Sequence, residues 1–189
     1  MERKPNQDTM TEKFKNLVHY ICWKADDPAK LGATKLNKIL WYVDTFAYRL
    51  YGESVTGEVY IKRQNGPVPK RILPAIDRLQ ADGRIVARER EYFGYKKREF
   101  IALLAPDAGA FAEREIKIID DVIDAICNNH SASSISELSH DQIWEAATMG
   151  EELPIYATLA ALPGELTDEV LAWADSVVQR VEEQRQQAA

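Results

Sequence analysis

The chain has 189 residues and a formal net charge of −6 at pH 7, and 46% of its residues are hydrophobic. This length suits a single domain with a buried core, and no apolar run approaches the roughly 18 residues of a membrane span. The first ten residues lack the apolar stretch of a signal peptide, and Cys22 and Cys127 lack the spacing of metal ligands. We therefore expect a cytoplasmic protein with two buried thiols.

Charge is distributed unevenly along the chain. Between Glu58 and Glu99, eleven Lys/Arg stand against six Asp/Glu, whereas the rest of the chain has thirteen against twenty-four. A basic region inside an acidic chain predicts a partner of complementary charge.

The first half is predicted to be mostly helical. Thr9-x-x-Glu12 is a capping-box pattern and predicts a helix over residues 9–25. Apolar residues at helical spacing predict a central core helix over 34–51, buried on more than one side and ended by Gly52. The segment GEVYIKR, residues 57–63, favours a short strand.

A third helix is predicted up to about Asp82, and the pattern then changes to a period of two. Residues 84–91 and 96–103 predict a β-hairpin with its turn at 92–95. Three helices followed by a hairpin is the order of a winged helix-turn-helix.

The second half is again helical. Residues 107–128 predict a long amphipathic helix, Ser134-x-x-Glu137 and Ser139-x-x-Gln142 predict two short ones, and residues 156–162 predict another. A last, acidic helix is predicted at about 165–185.

These elements predict a mainly α (α+β) fold, a compact helical domain with a small antiparallel β-hairpin and a winged-helix-like order in its first half. We expect one domain over residues 1–189, with a core at about 12–160.

The segment YIKRQNGPVPKRIL, residues 60–73, is the strongest candidate for recognition. Pro67 and Pro69 hold the residues before them extended, which predicts a stiff joint between strand and helix. Such a joint would present Asn65 and its basic neighbours in a fixed shape and reduce the entropy lost on binding.

We predict a partner-binding surface made of this joint and of the aromatic turn of the hairpin. Its residues are Lys62, Arg63, Asn65, Pro67, Pro69, Lys70, Arg71, Tyr92, Phe93 and Tyr95.

Motifs for catalysis, metals or cofactors do not stand out in the sequence. His19, His130 and His140 are scattered, and neither GxxxxGK[ST] nor GxGxxG occurs. We expect no enzyme activity, no metal and no cofactor. A small hydrolase with a hidden histidine–carboxylate site stays open, because such sites are recognised by geometry and not by chain order.

A nucleic-acid-binding regulator of winged-helix type is the main alternative. Arg84, Arg88, Arg90 and the run Lys96-Lys97-Arg98 would decorate the hairpin. Glutamates alternate with these arginines, however, and such alternation also serves cross-strand pairing in an edge hairpin.

The order of several short motifs resembles the Panacea domain of the SocA-like antitoxin family, also described as phage-associated GepA-like proteins. The resembling residues begin with Lys35-Leu36-x-Lys38-Ile39-Leu40-Trp41-Tyr42 and continue with Tyr51-Gly52, Thr56-Gly57, Tyr60, Gly66-Pro67-Val68-Pro69, Ser139-His140 and Trp144. The resemblance spans about residues 12–160.

The resemblance implies a binding protein of a toxin–antitoxin system. Its members are similar to antitoxins that neutralise a toxin, encoded by the adjacent gene, through direct protein contact. Some members are linked to delivery of the toxin to a protease, so a protease or chaperone is a possible further partner. Toxin-contacting residues cannot be transferred position by position, and the surface predicted above therefore depends on physical arguments alone.

Overall fold

The computed structural model of the protein describes residues 10–160 except Phe93, and it leaves the side chains of Tyr92, Tyr95 and Ala108 outside that description. The predicted capping residue Thr9 and the predicted helix at about 165–185 lie outside the described residues.

The described residues form a mainly helical fold with small antiparallel sheets, as predicted. The helices are α1 Glu12–Lys24, α2 Ala33–Tyr51, α3 Ile72–Ala81, α4 Glu113–Asn129, α5 Ala132–Leu138 and α6 Gln142–Ala146. The strands are β1 Tyr60–Arg63, β2 Gly66–Pro69, β3 Ile85–Tyr92, β4 Tyr95–Ala102 and β5 Glu152–Leu153. Two 3₁₀ turns cover Ala108–Ala110 and Ile155–Leu159.

Helix α2 is the centre of the core. It packs against α1, α4, α5 and β2, which confirms that it is buried on more than one side. Its buried residues include Leu36, Trp41 and Val43 but also the polar residues Lys38 and Asp44. The left-handed Gly52, with φ 75°, ends it as predicted.

The end of the apolar stripe of α2 is not part of the core. Phe46 and Leu50 were expected inside, but 38% and 65% of their surfaces are exposed. Ala47 between them is buried, so the core covers only part of the predicted stripe here, and periodicity alone overestimates burial in the C-terminal turns of α2.

The Gly-Pro-Val-Pro segment is itself a strand, which corrects the predicted joint. Strand β2 pairs antiparallel with β1, from Tyr60 opposite Pro69 to Arg63 opposite Gly66, and the strand order in this sheet is β2-β1-β5. The extended geometry was predicted correctly. The pairing was missed because prolines lack the N–H of a ladder, and β2 tolerates two of them since it lies at the edge of the sheet.

The second sheet is the predicted hairpin. Strands β3 and β4 pair from Ile85 opposite Ala102 to Tyr92 opposite Tyr95. Cross-strand ion pairs join Arg88 to Glu99 at 3.1 Å and Lys96 to Glu89 at 3.6 Å. The alternating charges therefore pair within the hairpin.

Several helix starts differ from prediction because other residues cap them. Thr11, whose side chain accepts the N–H of Phe14, caps α1 in place of Thr9. Ser131 and Asp141 cap α5 and α6 in place of Ser134 and Ser139.

Three more segments refine the predicted helices. Helix α4 begins at Glu113 and not at 107, because residues 108–110 form a separate 3₁₀ turn. The helix predicted at 156–162 is the 3₁₀ turn Ile155–Leu159. Among the described residues, none of the helices has the length and apolar character needed to cross a membrane.

Candidate partner-binding surface

The β1–β2 hairpin is held from behind by a buried lysine of α2. Lys38 is only 1% exposed, and its Nζ donates to the carbonyl oxygen of Pro67 at 2.9 Å. Because Pro67 has no backbone N–H, its carbonyl oxygen is the backbone group with which it can form a hydrogen bond to the core. The lysine thus fixes the middle of the edge strand to the central helix.

Gly66 allows this close approach. A Cβ on Gly66 would lie 2.2 Å from Ser139 Oγ and 2.7 Å from Lys38 Nζ, and φ at this residue is 97°. Only glycine combines that backbone conformation with so little space. Lys38, Gly66 and Ser139 therefore form one packing unit that joins α2, β2 and the end of α5.

Burial changes the acid–base properties of Lys38. Desolvation lowers the pKa of its ammonium group to about 7. Its hydrogen-bond acceptor, the carbonyl oxygen of Pro67, is neutral, so in the described part of the chain this bond offsets the cost of burying the charge only in part.

A second buried network holds the start of the hairpin. The Asp44 carboxylate accepts the N–H of Thr56 at 2.9 Å and faces the hydroxyl of Tyr60 at 2.8 Å. Desolvation raises the pKa of Asp44 to about 6, although the hydrogen bonds from Thr56 and Tyr60 oppose the rise. The network ties α2 to the loop before β1.

The turn of the hairpin is fixed by α5 and α6. Ser136 Oγ donates to the carbonyl oxygen of Asn65 at 3.1 Å, and Trp144 Nε1 donates to that of Arg63 at 3.1 Å. Lys62 Nζ lies 4.0 Å from the centroid of the Trp144 ring, whose other contact is His140, stacked at 3.7 Å. The backbone of the turn is thus bonded while its side chains point outward.

The predicted residues of this hairpin divide by exposure. Arg63, Asn65 and Lys70 are exposed, and we call these three the hairpin surface. Pro67 and Pro69, which the prediction placed in the same partner-binding surface, are buried, and they shape β2 from inside.

Lys62 and Arg71 are half-buried and already engaged within the fold. Lys62 Nζ donates to the carbonyl oxygen of Ala147 at 2.9 Å. Arg71 Nε lies 3.1 Å from a carboxylate oxygen of Glu58, whose side chain is fully buried. Both residues support the hairpin.

The aromatic turn of the β3–β4 hairpin is not in the same sheet as the hairpin surface. Tyr92 and Tyr95 face each other as the last pair of that ladder, while Phe93 and the two tyrosine side chains lie outside the description. The predicted surface is therefore divided between two sheets.

The three histidines lie in separate parts of the described structure, each with a partner other than a carboxylate. His19 Nε2 lies 3.0 Å from the carbonyl oxygen of Leu104, His130 approaches Ser134, and His140 stacks on Trp144. Within residues 10–160 none of the three is hydrogen-bonded to a carboxylate, and no group of three potential metal ligands is found there.

Sequence reasoning missed the residues that hold the hairpin. Lys38, Ser136 and Glu58 lie behind it, although charged or polar types are normally expected at the surface. The available signal was the central helix itself: a helix buried on several sides must bury some of its polar residues.

Comparison with known protein families identifies the family of the chain. The sequence profile described as antitoxin SocA-like, Panacea domain, matches residues 36–145, from α2 to α6. No curated protein and no solved structure matches the chain. The matched range covers more than half of the 189 residues and contains nearly every contact that fixes the hairpin. The chain therefore belongs to the SocA-like antitoxin family, whose Panacea domain it carries.

Proposed function

We propose that the protein is the antitoxin of a toxin–antitoxin system and that it neutralises its toxin by direct protein–protein binding, as a non-catalytic cytoplasmic protein. The observation that carries the proposal is the contrast within the hairpin: Lys38, Ser136 and Trp144 fix its backbone, while the hairpin surface is left exposed.

A fixed turn favours binding because little conformational entropy remains to be lost. Arg63 and Asn65 use their carbonyl oxygens to hold the turn, which frees their side chains for a partner. Arg63 makes no side-chain ion pair within residues 10–160, so its charge is available for an acidic group of the toxin.

The nucleic-acid alternative receives less support. Arg88 and Lys96 of the β3–β4 hairpin are paired with glutamates of the same hairpin, and the whole chain is acidic. A duplex-binding surface would instead present unpaired cations along one face.

Co-expression with the product of the adjacent gene tests the proposal. We expect that product to arrest growth alone, the antitoxin to restore growth, and the two proteins to copurify. Arg63→Glu combined with Lys70→Glu should abolish both rescue and copurification. The matched control is Arg78→Glu combined with Lys117→Glu, which reverses two exposed charges on α3 and α4.

Toxin abundance separates two modes of neutralisation. Steric blocking leaves the toxin level unchanged, whereas delivery to a protease lowers it. An adjacent product that is harmless alone, or that stays toxic with the antitoxin present, would contradict the proposal. Equal loss of rescue in the control variant would show that the hairpin surface is not the contact.

A further inference from the structure

The turn of the β1–β2 hairpin contains the dipeptide Asn65-Gly66. The chain has six asparagines, and Asn65 is the one that a glycine follows. Its side chain is exposed, and none of the hydrogen bonds found within residues 10–160 involves its side-chain amide. The amide carbon of this side chain is therefore open to attack by a neighbouring nucleophile.

The neighbouring nucleophile is the backbone nitrogen of Gly66. When the nitrogen of the next residue attacks Cγ of an asparagine, it closes a five-membered succinimide ring. Glycine has no Cβ to hinder this approach. Asparagine is among the thermolabile residues that hyperthermophilic proteins use sparingly, and the sequence Asn-Gly is its most exposed form sterically.

The other asparagines of the described structure lie on helices, where this reaction is disfavoured. They are Asn16 on α1, Asn37 on α2, and Asn128 and Asn129 at the end of α4. The N–H groups inside a helix are bonded to carbonyl oxygens four residues earlier, and each of these asparagines is followed by a residue with a large side chain. Asn65 alone among them combines a turn, an exposed side chain and a following glycine.

Helix α5 restrains the same turn. Ser136 is only 9% exposed, and its Oγ donates to the carbonyl oxygen of Asn65 at 3.1 Å. The succinimide ring requires a backbone ψ at Asn65 outside the ordinary helical and extended regions. The peptide group between Asn65 and Gly66 must therefore rotate before the ring can close, and this rotation breaks the bond from Ser136.

We propose that Asn65 is a site of spontaneous deamidation whose rate is limited by the hydrogen bond from Ser136. The backbone nitrogen of Gly66 forms a bond to Cγ of Asn65, the bond from Cγ to the side-chain nitrogen breaks, and ammonia leaves with the proton of the Gly66 amide. Water then opens the ring at either of its two carbonyl groups. One product is aspartate in the normal chain, and the other is isoaspartate, in which the main chain runs through the side-chain carbon.

Both products change the hairpin surface. Each replaces a neutral amide by a carboxylate close to Arg63 along the chain. Isoaspartate also lengthens the main chain by one carbon, in a hairpin that pairs Arg63 with Gly66 and whose register depends on its turn. The consequence for the toxin rests on the proposed function: a toxin with an acidic group at Arg63 should bind the modified protein more weakly, so neutralisation should decline as the antitoxin ages.

Incubation of the purified protein at neutral pH, followed by digestion and mass spectrometry, tests the site without any toxin. We expect Asn65 to lose its amide before the other asparagines of the chain, with isoaspartate among the products. Incubation in urea removes the restraint from α5 and should speed the reaction at Asn65. The variant Asn65→Gln should show no reaction at this position, because its longer side chain would have to close a less favourable six-membered ring.

Two serine variants locate the restraint. Ser136→Ala removes the bond to the Asn65 carbonyl oxygen and should speed deamidation of the folded protein about fivefold, as expected for the loss of one hydrogen bond. Ser133→Ala is the matched control, since it removes an exposed hydroxyl of the same helix that is bonded to Glu137. It should leave the rate unchanged. In urea both variants and the wild type should react at the same rate, and circular dichroism checks that each is folded without it.

An aspartate variant measures the effect on the toxin. Asn65→Asp supplies the charge without incubation and should weaken toxin binding about fivefold, whereas Asn129→Asp, an exposed position on α4, should leave it unchanged. Equal binding by the two variants would overturn the proposed consequence for the toxin. The mass spectra do not depend on the toxin, so a failure of the proposed function and a failure of the deamidation site can be told apart.

Two results would overturn the deamidation site itself. One is an Asn65 that keeps its amide in the folded protein throughout the time in which Asn129 loses its own. The other is an equal rate at Asn65 in folded wild type and folded Ser136→Ala, which would show that the bond from α5 does not limit the reaction.

Discussion

Protonation of the buried Lys38 should make the stability of the fold depend on pH. An unfolded lysine keeps its proton to about pH 10.5, whereas the folded Lys38 releases it near pH 7 because its ammonium group is desolvated. Between these values the unfolded state binds more protons, so the contribution of Lys38 to the free energy of unfolding rises with pH.

Replacing Lys38 by methionine should remove this dependence. Between pH 7 and pH 9 we expect wild-type stability to gain about 2 kcal/mol relative to Lys38→Met, at roughly 1.4 kcal/mol per pH unit. The comparison with Lys38→Met cancels the effect of the buried Cys22 thiol, which both proteins share. Because burial raises the pKa of this thiol to about 12, its contribution to stability falls at higher pH. Urea unfolding across this range measures the difference.

Lys70→Met is the control for the pH experiment because the Lys70 side chain is 54% exposed. Its difference from wild type should stay flat over the same range. A flat curve for Lys38→Met as well would mean that Lys38 is solvated in the folded state, and the proposed anchoring of β2 would fail with it.

Gly66 tests the packing unit behind the hairpin. Gly66→Ala should lower the free energy of unfolding by about 3 kcal/mol, because the added Cβ collides with Ser139 Oγ and Lys38 Nζ. Gly57 also has a positive φ, 68°, but a Cβ added there would meet nothing within 4 Å. Gly57→Ala should therefore lower the free energy of unfolding by only about 1 kcal/mol. Equal losses in denaturant unfolding would show that conformation, and not crowding, makes Gly66 necessary.

At the scale of elements, the periodicity of apolar residues predicted the helix and the hairpin that depend on local sequence pattern, but not the features that depend on distant contacts. Helix α2 follows from the helical spacing of its apolar residues, and the β3–β4 hairpin follows from the alternation on either side of its turn. Apolar spacing did not predict strand β2. Its two prolines are tolerated only because β2 lies at the edge of the sheet, which the sequence does not reveal. Lys38 behind it was also missed, because a buried lysine depends on a carbonyl 29 positions away.

The same limit applies to the candidate surface. Sequence reasoning identified the exposed Arg63, Asn65 and Lys70 through the stiffness of their segment. It placed Pro67 and Pro69 with them because the prolines supply that stiffness. That both prolines face the core depends on contacts with α2 and α5, which the sequence does not show.

The anchoring of the hairpin by α6 can be tested through Trp144. Trp144→Leu removes the hydrogen bond to Arg63 and the aromatic partner of Lys62. We expect amide exchange across residues 62–66 to become about tenfold faster, because loss of these contacts permits local opening worth about 1.4 kcal/mol. Hydrogen–deuterium exchange read by mass spectrometry measures it.

Trp23→Leu is the matched control for this exchange experiment, since Trp23 lies on α1 and is 45% exposed. It should leave exchange in residues 62–66 unchanged. If Trp144→Leu also leaves it unchanged, Lys38 and Ser136 hold the turn without help from α6.

At the scale of the whole molecule, charge is separated between a basic stretch, residues 58–99, and an acidic remainder. The basic stretch contains the hairpin surface, so an acidic face of the proposed toxin would be attracted to it. Such separation affects the rate of encounter more than the lifetime of the complex.

If the proposed toxin binds the hairpin surface, its association rate should fall as salt screens this attraction. We expect a decrease of about tenfold in the association rate constant between low and high ionic strength, with little change in dissociation, because the Debye length shortens to about 3 Å at 1 M salt. Stopped-flow mixing of the purified proteins measures both rates. Arg63→Glu should associate slowly at every salt concentration and show a flatter dependence. The prediction is contradicted if the association rate constant does not change with salt while the dissociation rate constant does. The toxin would then be held by desolvated contacts, and the basic stretch would have another role.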